Sequence, residues 1–458
     1  MILKSFAVFL PALVAGFGIV HLLWKSDQPV ALALKVFLGI GLGLGITSCL
    51  YFLRLLLFPG QGGYLLIEAV FMALIFVALF SQKRISLNIS FRSLSVTWIQ
   101  ILLGFTIIFV GAVAFYFLVI YARVAPHGDY DAQAIWNLRA RFMYRSGTAW
   151  ENAFSPLINR NFHMDYPLLI PLSVVGGWNT LGGEVLRIPA ALSMLFLFGM
   201  AGVIYCVIAY LRSSSQAAIA VILLLVTPGL LLFSTFQTAD IPLTYFFLAS
   251  ASLFVLAGNE NNKNLFFLSG LMAGLSAWTK NEGIPFAIIM MVCTVFFFGI
   301  RKTRNNLFPL LAGMVFPLLT IALFKIVISV NNDLFANNGL PDILSKLLDP
   351  TRYIQILTHL ITELIHLGNW PISIIAVLLV YGWIMGIRNP DSLTEKVLWI
   401  IPLSQFMIYL LIYVITPHDL EWHLNYSMSR LLIHLFPLAL FSFFLFVNTP
   451  ETALNKVK

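Results

Sequence analysis

The chain has 458 residues, of which 60% are hydrophobic and only 10% charged, where a soluble domain carries about 25% charged residues. So little charge cannot cover a water-exposed globule of this size, which excludes an ordinary soluble enzyme and points to an integral membrane protein. The formal net charge of +8 does not signal nucleic acid, because the basic residues are scattered between apolar runs rather than gathered on a polar domain.

Thirteen apolar runs reach or approach the roughly 20 residues a bilayer span needs. They lie near 5–24, 31–57, 64–80, 98–122, 187–211, 216–235, 241–257, 264–279, 284–300, 306–330, 370–387, 396–416 and 430–448. The runs are continuous rather than alternating, which argues against barrel strands. The fold class expected is therefore an all-α polytopic membrane protein of about 13 spans. Met1 to Trp24 has the look of a signal peptide but lacks a small-residue cleavage site and is followed by more spans, so it reads as a retained helix. Cys49, Cys206 and Cys293 all fall inside apolar runs and read as small buried hydrophobes, with no disulfide or metal spacing.

Short basic loops orient the bundle. Arg301, Lys302 and Arg304 share one side with Lys83, Arg84, Arg212, Lys263, Arg388 and Lys456 if thirteen helices alternate. That side is the cytoplasm, with the C-terminus in it. The long loops 123–186 and 331–369 then face outward, as do three short segments, Ser234–Ile241, Trp278–Ile284 and Thr416–Arg430. Residues 1–97 read as an added helical unit, 98–330 as the functional module, and 331–458 as an outer loop with C-terminal helices.

The polar chemistry collects on the outer side. The first long loop opens His127-Gly-Asp-Tyr-Asp, and Asp129 and Asp131 lie within ten residues of the membrane exit expected at Tyr121. A carboxylate there suits a general base or a cation ligand; it equally suits a helix N-cap. Ile135, Leu138 and Phe142, with Arg139, Arg141 and Arg145, suit an amphipathic helix on the membrane surface. Its arginines are placed to meet lipid phosphates, or simply to snorkel from a solvated loop. Further on, His163 and Asp165 stand at a bend between two prolines, where turn chemistry and a site role are both open. Asp240 begins a span and is either a cap or a site residue. Lys280 can hold a phosphate as a point charge, or pair with Glu282 as a surface ion pair worth little. His418, His423 and Arg430 face the same compartment. The histidines lack a clean metal spacing, and the Arg430 guanidinium is suited to gripping a phosphate in bidentate fashion.

Taken together these pieces resemble the GT-C glycosyltransferases, in particular the protein O-mannosyltransferase and aminoarabinose-transferase-like branch. Asp131 followed by Trp136, Ala140 and Gly147 resembles the acidic run of that family's first outer loop, with Ala132 in place of the usual second acid. Asp165-Tyr-Pro-Leu-Leu is similar to its proline bend, and Gly274-Leu-Ser-Ala-Trp-Thr-Lys280 to its third outer loop. The resemblance spans about 98–450. It implies a GT-C-type bundle whose large first outer loop carries surface helices. It also implies a polyprenyl-phosphate sugar donor, with its phosphate at Lys280, Arg430 and Arg139. Asp131 or Asp129 would be the general base in an inverting transfer to a glycan, lipid or protein acceptor. Asp165, His163, Asp240, Glu282, His418 and His423 would serve the acceptor or a divalent metal, the only cofactor suggested. The implied location is a bacterial inner membrane with the site facing the periplasm or exterior. The rival readings are a secondary transporter, for which Lys325 is the clearest interior charge, and a lipid-handling membrane protein without catalysis.

Overall fold

The computed structural model describes residues 2–58, 60, 63–84, 97–155, 157–158, 163–329, 339–390 and 392–457. Among them the only regular secondary structure is helix, apart from an isolated bridge between Ile387 and Val447. In chain order the helices are α1 (Ile2–Ala7), α2 (Leu10–Leu23), α3 (Pro29–Leu57), α4 (Tyr64–Ser81), α5 (Trp98–Val124), α6 (Asn137–Ser146), α7 (Leu169–Leu181), α8 (Arg187–Leu211), α9 (Ser214–Leu225) and α10 (Pro228–Thr235). Then follow α11 (Asp240–Glu260), α12 (Lys263–Thr279), α13 (Gly283–Ile328), α14 (Leu340–Leu347), α15 (Pro350–Ile365), α16 (Ile374–Met385), α17 (Leu393–Val397), α18 (Ile400–Ile415), α19 (Leu420–Phe446) and α20 (Pro450–Val457). A π turn, Ala132–Trp136, leads into α6. Long apolar runs become helices because only a helix satisfies every backbone N–H and C=O within the segment when no water is present.

Among the described residues eight helices are long and apolar enough to cross a membrane, or up to ten if two bent pairs each count as one span. This is fewer than the thirteen runs read from the sequence, and the differences have local causes. The 216–235 run breaks by 59° between α9 and α10, where Pro228 starts a new helix. The 370–387 run yields only the 12-residue α16, which meets the α15 segment at 77°. Helices α2 and α12, at 14 and 17 residues, fall short of a span. The 284–300 and 306–330 runs both lie in α13, as Gly283–Phe296 and Asn306–Ile328. The second packs back along α12: Gly313 lies against Phe267, Gly274 against Pro317, and Trp278 against Phe324.

Burial separates the middle of the bundle from its rim. In α11, 94% of the most apolar window is buried, against 11% in α4 and in α5. The outer faces of those two helices expose Leu66, Leu74, Phe80, Phe105, Ile108 and Phe109, surfaces far too apolar for water and suited to lipid. Helix α3 packs tightly on its neighbours. Its Gly39 and Gly43 lie so close to α2 that a Cβ would meet backbone atoms at 1.9–2.6 Å, the small-residue contact that lets membrane helices approach. Tyr245 of α11 donates its hydroxyl to the Phe37 carbonyl at 2.8 Å and ties α3 to the centre.

Candidate active site

The site begins where α5 ends. Gly128 adopts φ +73°, and a Cβ there would meet the Phe236 carbonyl oxygen at 2.6 Å; glycine is the residue that tolerates both. The Asp129 N–H donates to that carbonyl at 3.2 Å. Gln237, itself at φ +59°, donates to the Pro126 carbonyl at 3.3 Å and accepts from Asn137 Nδ2 at 3.3 Å. These bonds clamp the 125–137 segment onto the short turn before α11 and so set Asp131 beside Asp240.

Asp240 is the hub and is 1% exposed. Its Oδ1 accepts from Lys280 Nζ at 3.0 Å and lies 2.9 Å from His434 Nε2. Its Oδ2 accepts from Arg430 Nε at 3.1 Å and Nη2 at 2.8 Å, and from the Thr238 hydroxyl at 2.8 Å. The remaining nitrogen of the same guanidinium, Nη1, donates to Asp131 Oδ2 at 2.6 Å. Lys280 also holds Glu282 at 2.8 Å, and Tyr409 places its hydroxyl 3.4 Å from His434 Nδ1. Burial alone would strip the proton from Lys280, but Asp240 and Glu282 outweigh it and hold the ammonium well above its ordinary pKa. Burial likewise pushes the Glu282 carboxyl up, and Lys280 overrides it, so that Glu282 sits below the usual carboxylate range. The Lys280–Glu282 pair is thus a buried one, not the solvated surface pair that the sequence left open.

A second cluster adjoins the first through the Lys280-Asn281-Glu282 turn. Lys325 donates to Asp165 Oδ2 at 3.1 Å, to the Asp165 carbonyl and to Asn281 Oδ1 at 3.0 Å, while Asn281 Nδ2 donates to Asp165 Oδ2 at 2.7 Å. Next to it Trp136, Tyr166 and His163 stack, with centroid separations of 5.5 and 4.6 Å, and Lys280 lies 5.7 Å from the Tyr166 ring centre. Asp165 and His163 therefore take part both in the bend and in the site wall.

Several residues stand differently from the sequence expectation. Asp131 makes no capping bond; its carboxylate goes to Arg430. Asp240 makes none either. Helix α6 lays one face on the bundle, where Asn137, Arg139, Ala140 and Met143 are buried. Arg139 donates to the His163 carbonyl at 2.6 Å and the Tyr166 carbonyl at 3.3 Å, which fixes the bend. Arg145 grips Glu184 at 2.5 and 2.7 Å, with Arg141 at 4.0 Å, so these two face a carboxylate of the chain. Arg430 does not open the helix of the last apolar run, since α19 starts ten residues earlier at Leu420, capped by Asp419. His423 faces the Thr416 hydroxyl at 2.9 Å, with the His418 ring 5.8 Å away. Asp129 contributes backbone hydrogen bonds only, among the described residues.

His434, Asn281 and Tyr409 escaped the sequence reading, and Lys325 stood out there only as an interior charge. His434 carried one usable signal, an ionisable side chain four residues beyond Arg430 and hence on the same helix face. Among the described residues no three His, Cys, Asp or Glu side chains converge as a metal site. Asp131 and Asp240 are instead joined by a cation of the chain's own.

The fold and site define a polytopic helical membrane protein with two adjoining ion clusters where loops meet the buried helix ends. Residues 179–325, roughly a third of the chain, match the family model described as dolichyl-phosphate-mannose-protein mannosyltransferase. The match bears out the GT-C resemblance and indicates glycosyltransferase activity of that type. It contains Asp240, Lys280, Glu282 and Lys325, whereas Asp129, Asp131 and Arg430 lie outside it. No curated protein and no solved structure matches the chain.

Proposed function

We propose that this protein transfers a sugar from a polyprenyl-phosphate carrier to an acceptor hydroxyl at the membrane boundary, with Asp131 as general base. The observation that carries this reading is the three-way grip of Arg430, which leaves Asp131 held by a single exchangeable nitrogen. When donor arrives, its phosphate takes the place of the Asp131 carboxylate at Nη1, while Nε and Nη2 stay on Asp240. The Asp131 carboxylate is then free to take a proton.

The acceptor oxygen attacks the anomeric carbon as its proton passes to Asp131. The bond from that carbon to the phosphate oxygen breaks, and polyprenyl phosphate leaves with the electron pair. A single displacement inverts the anomeric centre. Around the reaction Lys280, Lys325, Arg139 and Arg430 stand against Asp131, Asp165, Asp240 and Glu282, an even balance of charge. Protonation of Asp131 tips that balance positive just as the leaving phosphate gains charge, which is the electrostatic support such a step needs. A narrow apolar groove lined by Leu360, Phe406, Tyr409, Leu410, Tyr413, Met428, Leu431 and Leu432 lies beside the cluster, an apolar surface against which a prenyl chain can lie. It reaches the cluster through Tyr409. The bacterial inner membrane, with the site on the outer side, is the location proposed.

The test is incubation of purified protein with polyprenyl-phosphate sugars and mixed acceptors, followed by mass spectrometry. A covalent glycosyl product with release of polyprenyl phosphate is expected. Asp131→Asn should lower the rate by about 10²–10⁴-fold with unchanged thermal unfolding. Solute uptake without a covalent product would support the transporter instead, and full activity in Asp131→Asn would remove Asp131 as the base.

A further inference from the structure

Trp422, Tyr426, Arg430 and His434 follow one another at intervals of four along α19 and so form one ridge on its surface. Exposure falls steadily along it, from 53% at Trp422 and 49% at Tyr426 to 16% for the Arg430 side chain and 0% at His434. The ridge runs from the surface straight into the ion cluster. Its outer two rings are stacked, with centroids 5.5 Å apart and planes 16° from parallel. His418 stands edge-on to Trp422 at 5.7 Å, and Asp419 anchors the Trp422 backbone by accepting its N–H at 2.8 Å. Exposed Glu421 and Asn425 and half-buried Ser429 border the rings. Asp131, Asp129 and Tyr130 lie within electrostatic reach of Tyr426.

A fixed aromatic surface bordered by an amide, a carboxylate and a hydroxyl is the chemistry that recognises a sugar. A pyranose chair offers a patch of C–H bonds on one face and hydroxyls around its edge, so the first stacks on a ring while the second finds polar partners. A prenyl chain needs no such polar border, and a short peptide hydroxyl has no flat face to stack. We propose that Trp422 and Tyr426 form a stacking platform for a pyranose of the acceptor, so that the acceptor is a saccharide-bearing molecule. The proposal rests on the reading of Asp131 as the base, and names the substrate class of that same site. Trp422 to Arg430 covers about 12 Å of helix axis, so a sugar on the platform lies one to two turns from the reacting groups. Exposed tryptophans also anchor helices at membrane interfaces. Trp98 and Trp383, each 85% exposed, fit that role. Trp422 differs in being stacked, rimmed with polar groups and aligned on Arg430.

The experiment is saturation-transfer NMR on the full chain in lipid nanodiscs with methyl α-mannopyranoside, methyl β-galactopyranoside, methyl β-N-acetylglucosaminide and maltose. Transfer to the C–H face of at least one glycoside is expected. It should drop roughly two- to ten-fold in Trp422→Leu, recover in Trp422→Phe, and persist in Asp131→Asn. Leucine keeps the position apolar, so membrane anchoring survives the change. No transfer with the wild-type chain, or equal transfer with Trp422→Leu, overturns the platform. Donor cleavage is assayed separately as release of polyprenyl phosphate, so loss of the Asp131 reading and loss of the platform are distinguishable.

Discussion

The guanidinium of Arg430 joins Asp131 to Asp240 across the chain, 2.6 Å from the first and 2.8 Å from the second, although they lie 299 and 190 residues away in sequence. One cation thus sets the distance between a residue buried at a helix start and another on an outlying loop. The ordering of that loop and the neutralisation of Asp240 are consequently a single physical event.

Arg430→Lys should therefore fail where a simple charge count predicts success. A lysine presents one compact ammonium and cannot reproduce bonds from Nε, Nη1 and Nη2 in three directions. Glycosyl transfer should be lost, as measured by product mass spectrometry. Arg430→Ala should also lower stability by about 3–5 kcal/mol, because Asp240 then keeps Lys280 alone as a permanent cation partner. Thermal unfolding in detergent separates the two variants, with Arg430→Lys the milder; equal unfolding temperatures would contradict this account.

Asp240→Asn and Asp131→Asn should differ in kind. Removing the Asp240 charge leaves Arg430 and Lys280 facing each other in a buried site, so the folded protein should lose about 3 kcal/mol or more. Asp131 is partly exposed at the edge of the cluster, so its loss should affect turnover with little change in unfolding. Asp129→Asn should alter neither by more than about two-fold. The measurement is a paired assay of turnover and unfolding midpoint for the three variants.

Gly128→Ala tests the clamp that presents Asp131. An alanine Cβ meets the Phe236 carbonyl at 2.6 Å in a backbone held at φ +73°, a strain of order 1–3 kcal/mol. The loop should relieve it by lifting from α11, which moves Asp131 off Arg430. A fall in turnover well beyond the stability loss is expected. Unchanged kinetics would show that the clamp does not position the base.

Acid should release the Arg145–Glu184 contact. The Arg145 guanidinium holds the Glu184 carboxyl below its ordinary range, with burial opposing. For a depressed carboxylate the stabilisation is fully present above the unfolded pKa of about 4.3, and is lost as pH falls through the lower folded value. Glu184→Gln should thus unfold slightly earlier than the wild type near neutrality, and the two melting curves should converge at acid pH. The pair is largely solvent-screened, so the gap should be small.

The sequence on its own determined the class of protein and most of the chemical inventory. Sixty per cent hydrophobic residues and ten per cent charge leave only a membrane bundle. Asp131, Asp240, Lys280 and Arg430 stand out in it because charges are costly there and so are few. Their grouping was the work of tertiary structure alone. Helical periodicity is a local property and says which residues share one helix face, whereas the Asp240 site is assembled from α11, the turn after α12, the π-turn loop and the middle of α19. Lys325 was legible as an interior charge but not as the partner of Asp165, Asn281 left no local pattern to read, and Arg139 has the sequence context of a surface residue until packing buries it. Which charge meets which was decided by how the helices pack, since a buried ion finds stability only in the partners that packing brings within reach.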